Sequence, residues 1–359
     1  MSPVATSVHG NGRIVGLDTL RFVCAIWVAL HHGARPDIAA WFGLSALASD
    51  WNAIAFDGVA AVIVFFMISG LCVHYPYAKS QPCNLPAYFV QRFVRIGIPL
   101  VVVAVFVKGV GPFIGDDIAT APRMVLWSLW CELIYYALYP ILLVAFRRIG
   151  LLPVIVAAFV LSYVVILGHW TLTTYWAYPR IWAAAAALPA WVLGCAIAQF
   201  VAAGRLPVLP GSVWWWRLAL LVLSIPPKAL LYPSVSPVLI PNPATLNVLA
   251  LFVFPWLVKE IAGFQAKAPP AVLEWGGRWS YSLYLVHYVV IVAAMRLAGR
   301  MDPILLWCFG VVAILLASYL FYCVVERPAH LLARSFGRRL ARQPEATGSV
   351  ILPAPAGKP

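Results

Sequence analysis

Charge is scarce in this chain, and negative charge scarcest. Only 10% of its 359 residues are charged, 12 Asp and Glu against 25 Lys and Arg, while 63% are hydrophobic. So thin a polar coat cannot cover a soluble domain of this length, which excludes an ordinary water-soluble enzyme. The seven cysteines are odd in number and include no Cys-x-x-Cys pair, which argues against a disulfide framework or a thiolate metal site. No internal repeat is visible, whereas many transporters are built from two related halves. No polar stretch is long enough for a separate soluble module. Nor does a small-residue cleavage site follow the first apolar run, so that run reads as a retained helix and not a removed signal peptide.

What the chain has in abundance is apolar runs of about 20 residues. Ten are expected as helices, at 14–33, 53–75, 95–112, 123–146, 151–168, 178–201, 214–231, 244–262, 280–298 and 303–325. The predicted fold is an all-α polytopic membrane bundle of about ten transmembrane helices. With the N-terminus inside, about 17 basic residues fall on inside segments and about 7 outside, the asymmetry of the positive-inside rule, so both termini are expected in the cytoplasm. That asymmetry explains most of the net charge of +13 without nucleic acid as a partner. Residues 1–13 read as a cytoplasmic tail and 14–335 as the membrane domain. Residues 336–359, basic and then rich in Pro and Ala, are expected to be disordered.

The ionisable residues within the spans are few enough to weigh singly. Arg21 lies in the first run, where a guanidinium in hydrocarbon is costly and marks function. His32 follows eleven residues later, three helical turns plus about 20°, so the two share one face roughly 16 Å apart along the axis. His31 is rotated away by about 100°. Asp18, one turn before Arg21, is placed to hold the guanidinium, although mutual neutralisation near the interface explains the pair equally well. An imidazole can take the proton of a hydroxyl nucleophile at neutral pH; an interfacial His also serves as a simple anchor. Arg92 and Arg95 are neighbours at the mouth of the third helix, suited to fork onto ligand phosphates or lipid headgroups. Glu132 is expected to face the bundle interior, orienting a base or an Arg, or gluing helices. Asp57, His74 and His287 read as packing or interface residues. Glu326 closes the last span beside Arg327.

Together these pieces resemble the acyltransferase-3 family of integral membrane acyltransferases, over about residues 14–335. The resemblance rests on six segments in order. Gly16-Leu17-Asp18-Thr19-Leu20-Arg21 with His32 looks like the family's first-helix Arg-x10-His motif. Phe65-Phe66-Met67-Ile68-Ser69-Gly70 looks like its FFxxSG stretch, where Gly70 permits close helix approach. Arg92 with Arg95 matches RxxR, and Trp127-Ser128-Leu129 with Glu132 matches WSLxxE. Tyr281-Ser282-Leu283-Tyr284-Leu285-Val286-His287 matches YSxYLxH, and Glu326-Arg327-Pro328 matches ERP. Two positions depart from the pattern: Ile63 stands where many members have an acid, and Leu71 where an aromatic is common.

The resemblance implies transfer of an acyl group, by family default acetyl, from cytoplasmic acyl-CoA to a hydroxyl of a glycan, lipo-oligosaccharide or similar acceptor. It implies a multi-pass protein of the bacterial inner membrane, without a tightly bound cofactor or metal and without a fused esterase-like domain. On this reading Arg92 and Arg95 hold the donor phosphates, and the pantetheine arm runs up one polar seam past Arg21. His32 is then the general base, with Arg21 stabilising the oxyanion and Glu132 as an orienting group. The competing reading is a transporter of an acyl donor or glycan precursor, with the same buried Arg and His lining a pore. External loops at about 33–52, 169–180 and 226–243 would shape acceptor choice. Their Trp41, Trp51, Trp170, Tyr175 and Trp176 suit either sugar stacking or an interfacial belt.

Overall fold

In hydrocarbon a spanning chain must satisfy its own backbone hydrogen bonds, and helices do so within one segment. The computed structural model describes residues 14–36, 38–79, 81–114, 116–298, 301–341 and 351–352; the tail expected at 1–13 and most of 342–359 lie outside them. Almost all of the described chain is helical. The first half holds α1 (Leu17–Ala29), α2 (Ile38–Trp41), α3 (Ala46–Ala55), α4 (Gly58–His74), α5 (Leu85–Ile114), α6 (Asp116–Ile149) and α7 (Leu151–Gly168). The second holds α8 (Arg180–Ala202), α9 (Val213–Leu223), α10 (Ile225–Ala229), α11 (Asn242–Ala266), α12 (Ala271–Gly277), α13 (Ser280–Ala298), α14 (Pro303–Phe321) and α15 (Arg327–Ala341).

Among the described residues seven helical segments are long and apolar enough to cross a membrane. They are Ala46–Tyr77, Leu85–Gly109, Val125–Ile149, Leu151–Gly168, Arg180–Ala202, Asn242–Ala266 and Pro303–Ala341, and each overlaps an expected span. The other three expectations fare differently. Ser280–Arg296 is a shorter apolar helix. α1 has 13 residues and passes into a π-helical turn at Leu30–Ala34, closed by the Arg35 N–H donating to Leu30 O at 3.1 Å. The run expected as one helix at 214–231 is broken at Ser224, where α9 ends and Pro226 and Pro227 open α10. Prolines lack the N–H that a continuing helix needs and fit its first turn instead. At the other end α15 carries helix past residue 335, into the segment expected as tail.

Burial separates the centre of the bundle from its rim. The apolar stretches of Ala46–Tyr77 and Arg180–Ala202 are each 83% buried, against 28% for Leu85–Gly109 and Leu151–Gly168 and 11% for Pro303–Ala341. α4 and α8 therefore form the core pair, while α5, α7 and α14 turn Val101, Val105, Val156, Val160, Leu316 and Leu320 outward. The two central helices touch backbone to backbone. A Cβ on Gly70 would stand 1.9 Å from Trp191 O, and one on Gly194 would stand 1.9 Å from Met67 O. Only glycine allows that approach, as small residues do at membrane helix interfaces.

Candidate active site

The motif residues lock onto one another and enclose a cavity of about 530 Å³. α1 contributes Asp18 and Arg21 to its wall, α4 Phe65, Phe66 and Ser69, and α5 Arg92 and Arg95. α6 adds Ser128, Glu132 and Tyr136, and α13 adds Tyr281 and Tyr284. Four of the five expected site residues, Arg21, Arg92, Arg95 and Glu132, thus share one chamber. The Arg21 Nη1 lies 3.2 Å from Asp18 Oδ1, the pairing expected from their spacing, and its Nη2 lies 3.2 Å from Cys72 Sγ. Arg92 donates to Cys72 O at 3.4 Å and lies over the Tyr136 ring, 5.7 Å from its centre.

Glu132 is fixed from two helices. Its Oε1 accepts from Ser69 Oγ at 2.8 Å and from the Tyr136 hydroxyl one turn further along α6. Trp191 Nε1 in turn donates to Ser69 Oγ at 3.3 Å. Among the described residues its carboxylate bonds neither Arg21 nor His32. At the end of the bundle Glu326 accepts from Ser282 N at 3.1 Å and from Ser282 Oγ at 2.5 Å, tying the ERP segment to the YSxYLxH helix. Tyr281 donates to Ile96 O at 3.1 Å, which ties that helix to α5.

His32 stands apart from the chamber and is not among its lining residues. Eleven helical residues separate it from Arg21 by about 16 Å, too far for both to touch one reacting group. Its partner is His287, whose Nε2 lies 3.2 Å from His32 Nδ1. Carbonyl oxygens fix the protons of both rings. His287 Nδ1 lies 2.8 Å from Tyr284 O, and His32 Nδ1 lies 3.0 Å from Val28 O. A carbonyl only accepts, so each Nδ1 bears hydrogen and each neutral ring keeps its lone pair on Nε2. His287 therefore offers an acceptor to His32, and His32 Nε2 is left as the basic atom. The signal for His287 was the last residue of YSxYLxH, two turns beyond Tyr281 on the same helix.

Beyond the histidines lies a buried cation that spacing alone does not reveal. Lys228 of α10 donates to Ala53 O and to Phe56 O at 3.3 Å, and its Nζ is 3.0 Å from His31 Nδ1. The His31 ring stands edge-on to that of His32, 4.7 Å between centres. Asp57 is buried nearby and caps α4, its Oδ1 accepting from Val59 N at 2.9 Å. Tyr284 joins the two ends. It lines the chamber, its hydroxyl is 2.6 Å from Ser128 Oγ and donates to Val125 O at 3.0 Å, and its ring is 6.0 Å from that of His287.

This geometry can be set beside known proteins. A family model described as an acyltransferase domain matches residues 14–323. Nodulation protein 10 of Rhizobium leguminosarum bv. viciae is 24% identical over 386 residues, spanning 93% of this chain and 98% of that protein. No solved structure matches.

Proposed function

The chain belongs to the acyltransferase-3 family and is a membrane acyltransferase, and from that premise we propose that it moves an acetyl group from acetyl-CoA to a hydroxyl of a glycan-type acceptor. The chamber supports this donor. Arginines line it at one end, and neutral polar and aromatic groups line it at the other, the buried Ser128, Tyr284 and Phe66 and the half-buried Phe65. A polyanionic head with a long neutral arm is the ligand such a gradient fits. Arg21, Arg92 and Arg95 belong to the donor end, with Arg21 held by Asp18 and not aimed at the oxyanion.

Chemistry falls to the histidine pair. The acceptor hydroxyl oxygen attacks the thioester carbonyl as His32 Nε2 takes its proton, while Nδ1–H stays directed at His287 Nε2 and Val28 O. The C–O bond forms, the C–S bond breaks, and the proton on Nε2 passes to the departing thiolate. Ser128 and Tyr284 lie at the chamber's neutral end, so on this reading the thioester reaches His32 when the Tyr284 side chain moves aside. On this reading the arginine end faces the cytoplasm of the bacterial inner membrane, as the positive-inside asymmetry suggests, and the acceptor lies on the opposite side.

The single observation that carries the base assignment is the pair of carbonyl-fixed imidazoles 3.2 Å apart. The test uses the full chain in sealed vesicles with labelled acetyl-CoA and candidate surface glycans. Wild type places label covalently on the acceptor, and His32→Ala lowers the rate by about 100-fold or more while acetyl-CoA affinity is retained. Full acylation by His32→Ala defeats the assignment.

A further inference from the structure

The family match ends at residue 323, four residues before α15 begins, yet α15 forms one wall of the chamber. Arg327, His330, Leu331 and Arg334 all line it. Their spacing of three, four and seven residues is that of one helix face. A second face holds the helix in place: Ala329, Ala333 and Gly337 are buried, and a Cβ on Gly337 would stand 2.4 Å from the Gln91 side chain of α5. The wall is therefore docked beside the helix that carries Arg92 and Arg95.

Charge shows what the wall is for. Six arginines line the chamber, at 21, 92, 95, 278, 327 and 334, against the carboxylates of Asp18, Glu132 and Glu326. The carboxylates have partners already, in Arg21, in Ser69 with Tyr136, and in Ser282. Arg278, Arg327 and Arg334 are exposed. Among the described residues their side chains make no hydrogen bond or ion pair within the protein. Arg21, Arg92 and Arg95 lie deeper, half-buried. A ligand entering here meets guanidiniums in two tiers, an outer one at the mouth and an inner one further in.

Resting on the donor reading above, we propose that Arg327 and Arg334 of α15, with Arg278 from the turn between α12 and α13, form the outer phosphate subsite of the donor. They take the phosphates of its nucleotide end, while the inner tier of Arg92 and Arg95 takes those nearer the arm. Donor selection for a nucleotide-bearing thioester then resides largely in a helix that starts within the ERP segment and runs beyond the matched residues 14–323. Phosphate also occurs on anionic lipid headgroups, and the exposed Leu331, Leu332 and Phe336 give α15 an apolar side suited to a bilayer surface. The assignment here is to the donor.

The experiment places the full chain in phosphatidylcholine vesicles and compares acetyl-CoA with S-acetyl-pantetheine, which has the arm without the nucleotide. Arg334→Ala is expected to raise KM for acetyl-CoA about tenfold and to leave kcat and the KM for acetyl-pantetheine unchanged. Arg334→Gln, which keeps side-chain length and helix propensity, should behave alike. Adding phosphatidylglycerol should leave the wild-type and variant values where they were. Equal losses with both donors, or an effect seen only with anionic lipid, overturns the subsite. A wild-type protein that uses acetyl-pantetheine as well as acetyl-CoA overturns the donor reading itself, and the subsite with it.

Discussion

At the arginine end, Arg278, Arg327 and Arg334 stand exposed with no counter-ion of their own among the described residues. At the histidine end, Lys228 is only 6% exposed and its ammonium is surrounded by Ala53 O, Phe56 O and His31. Both regions concentrate positive charge, but they do so in opposite ways. Charges left without internal partners await a ligand, whereas charges satisfied from within hold a structure in one arrangement. Donor capture and the placing of the base are thus divided between the two ends of one bundle. Removing charge from the first should cost affinity, and from the second, stability.

Lys228→Met is the strongest way to break that contrast after loss of the base itself. It removes the ammonium donor to Ala53 O and Phe56 O and leaves Asp57, whose Oδ2 has no hydrogen-bond partner among the described residues, without the buried cation beside it. Uncompensated buried charge of this kind costs about 3 kcal/mol. Thermal unfolding of the purified protein should therefore shift down by several degrees, while Arg334→Ala, an exposed change, stays within about 0.5 kcal/mol of wild type. Equal shifts for the two variants would show that the ends are not built differently.

Arg92→Ala tests the inner tier and should have a smaller, purely kinetic effect. Among the described residues the side chain holds a long bond to Cys72 O and its place over the Tyr136 ring. Loss of a charge-assisted contact to phosphate predicts a rise of about tenfold in KM for acetyl-CoA, with kcat little changed. Raised ionic strength should weaken donor binding through the exposed outer arginines more than through this half-buried one, because screening acts most on solvated charge. Initial rates across a salt series in wild type and both variants measure the difference.

How much of this was legible before any coordinates depended on whether a residue's meaning was local. Helical class followed from apolar run length, and the convergence of Arg21, Arg92, Arg95 and Glu132 from motifs that each carry a polar group into the bundle. Arg327 stands out only through the ERP segment and Arg334 not at all, since nothing in their spacing says that α15 folds back along α5. Lys228 falls within the run expected as one span at 214–231, and only the break at Ser224 with its two prolines sets it on α10. The shared face of Arg21 and His32 was a sound helical inference but suggested a single seam. Axial distance and the π turn from Leu30 instead leave His32 beside His287, beyond the chamber. Tertiary pairing of that sort lies outside the reach of one helix's periodicity.

Tyr284 is where the comparison can be sharpened most finely, because it belongs to both ends. Its hydroxyl bonds Ser128 Oγ and Val125 O at the chamber wall, and its backbone carbonyl fixes the proton on His287. Tyr284→Phe removes the first role and keeps the second. Ser128 loses a partner and Val125 O a donor, at a cost of about 1 kcal/mol in stability. The carbonyl that sets the His287 tautomer is untouched, so the rate of acyl transfer should fall by no more than about threefold, well under 1 kcal/mol of activation free energy. A loss as deep as that of His32→Ala would mean that the phenol itself takes part in the reaction, and the division between a donor-holding end and a base-holding end would then run through this one ring.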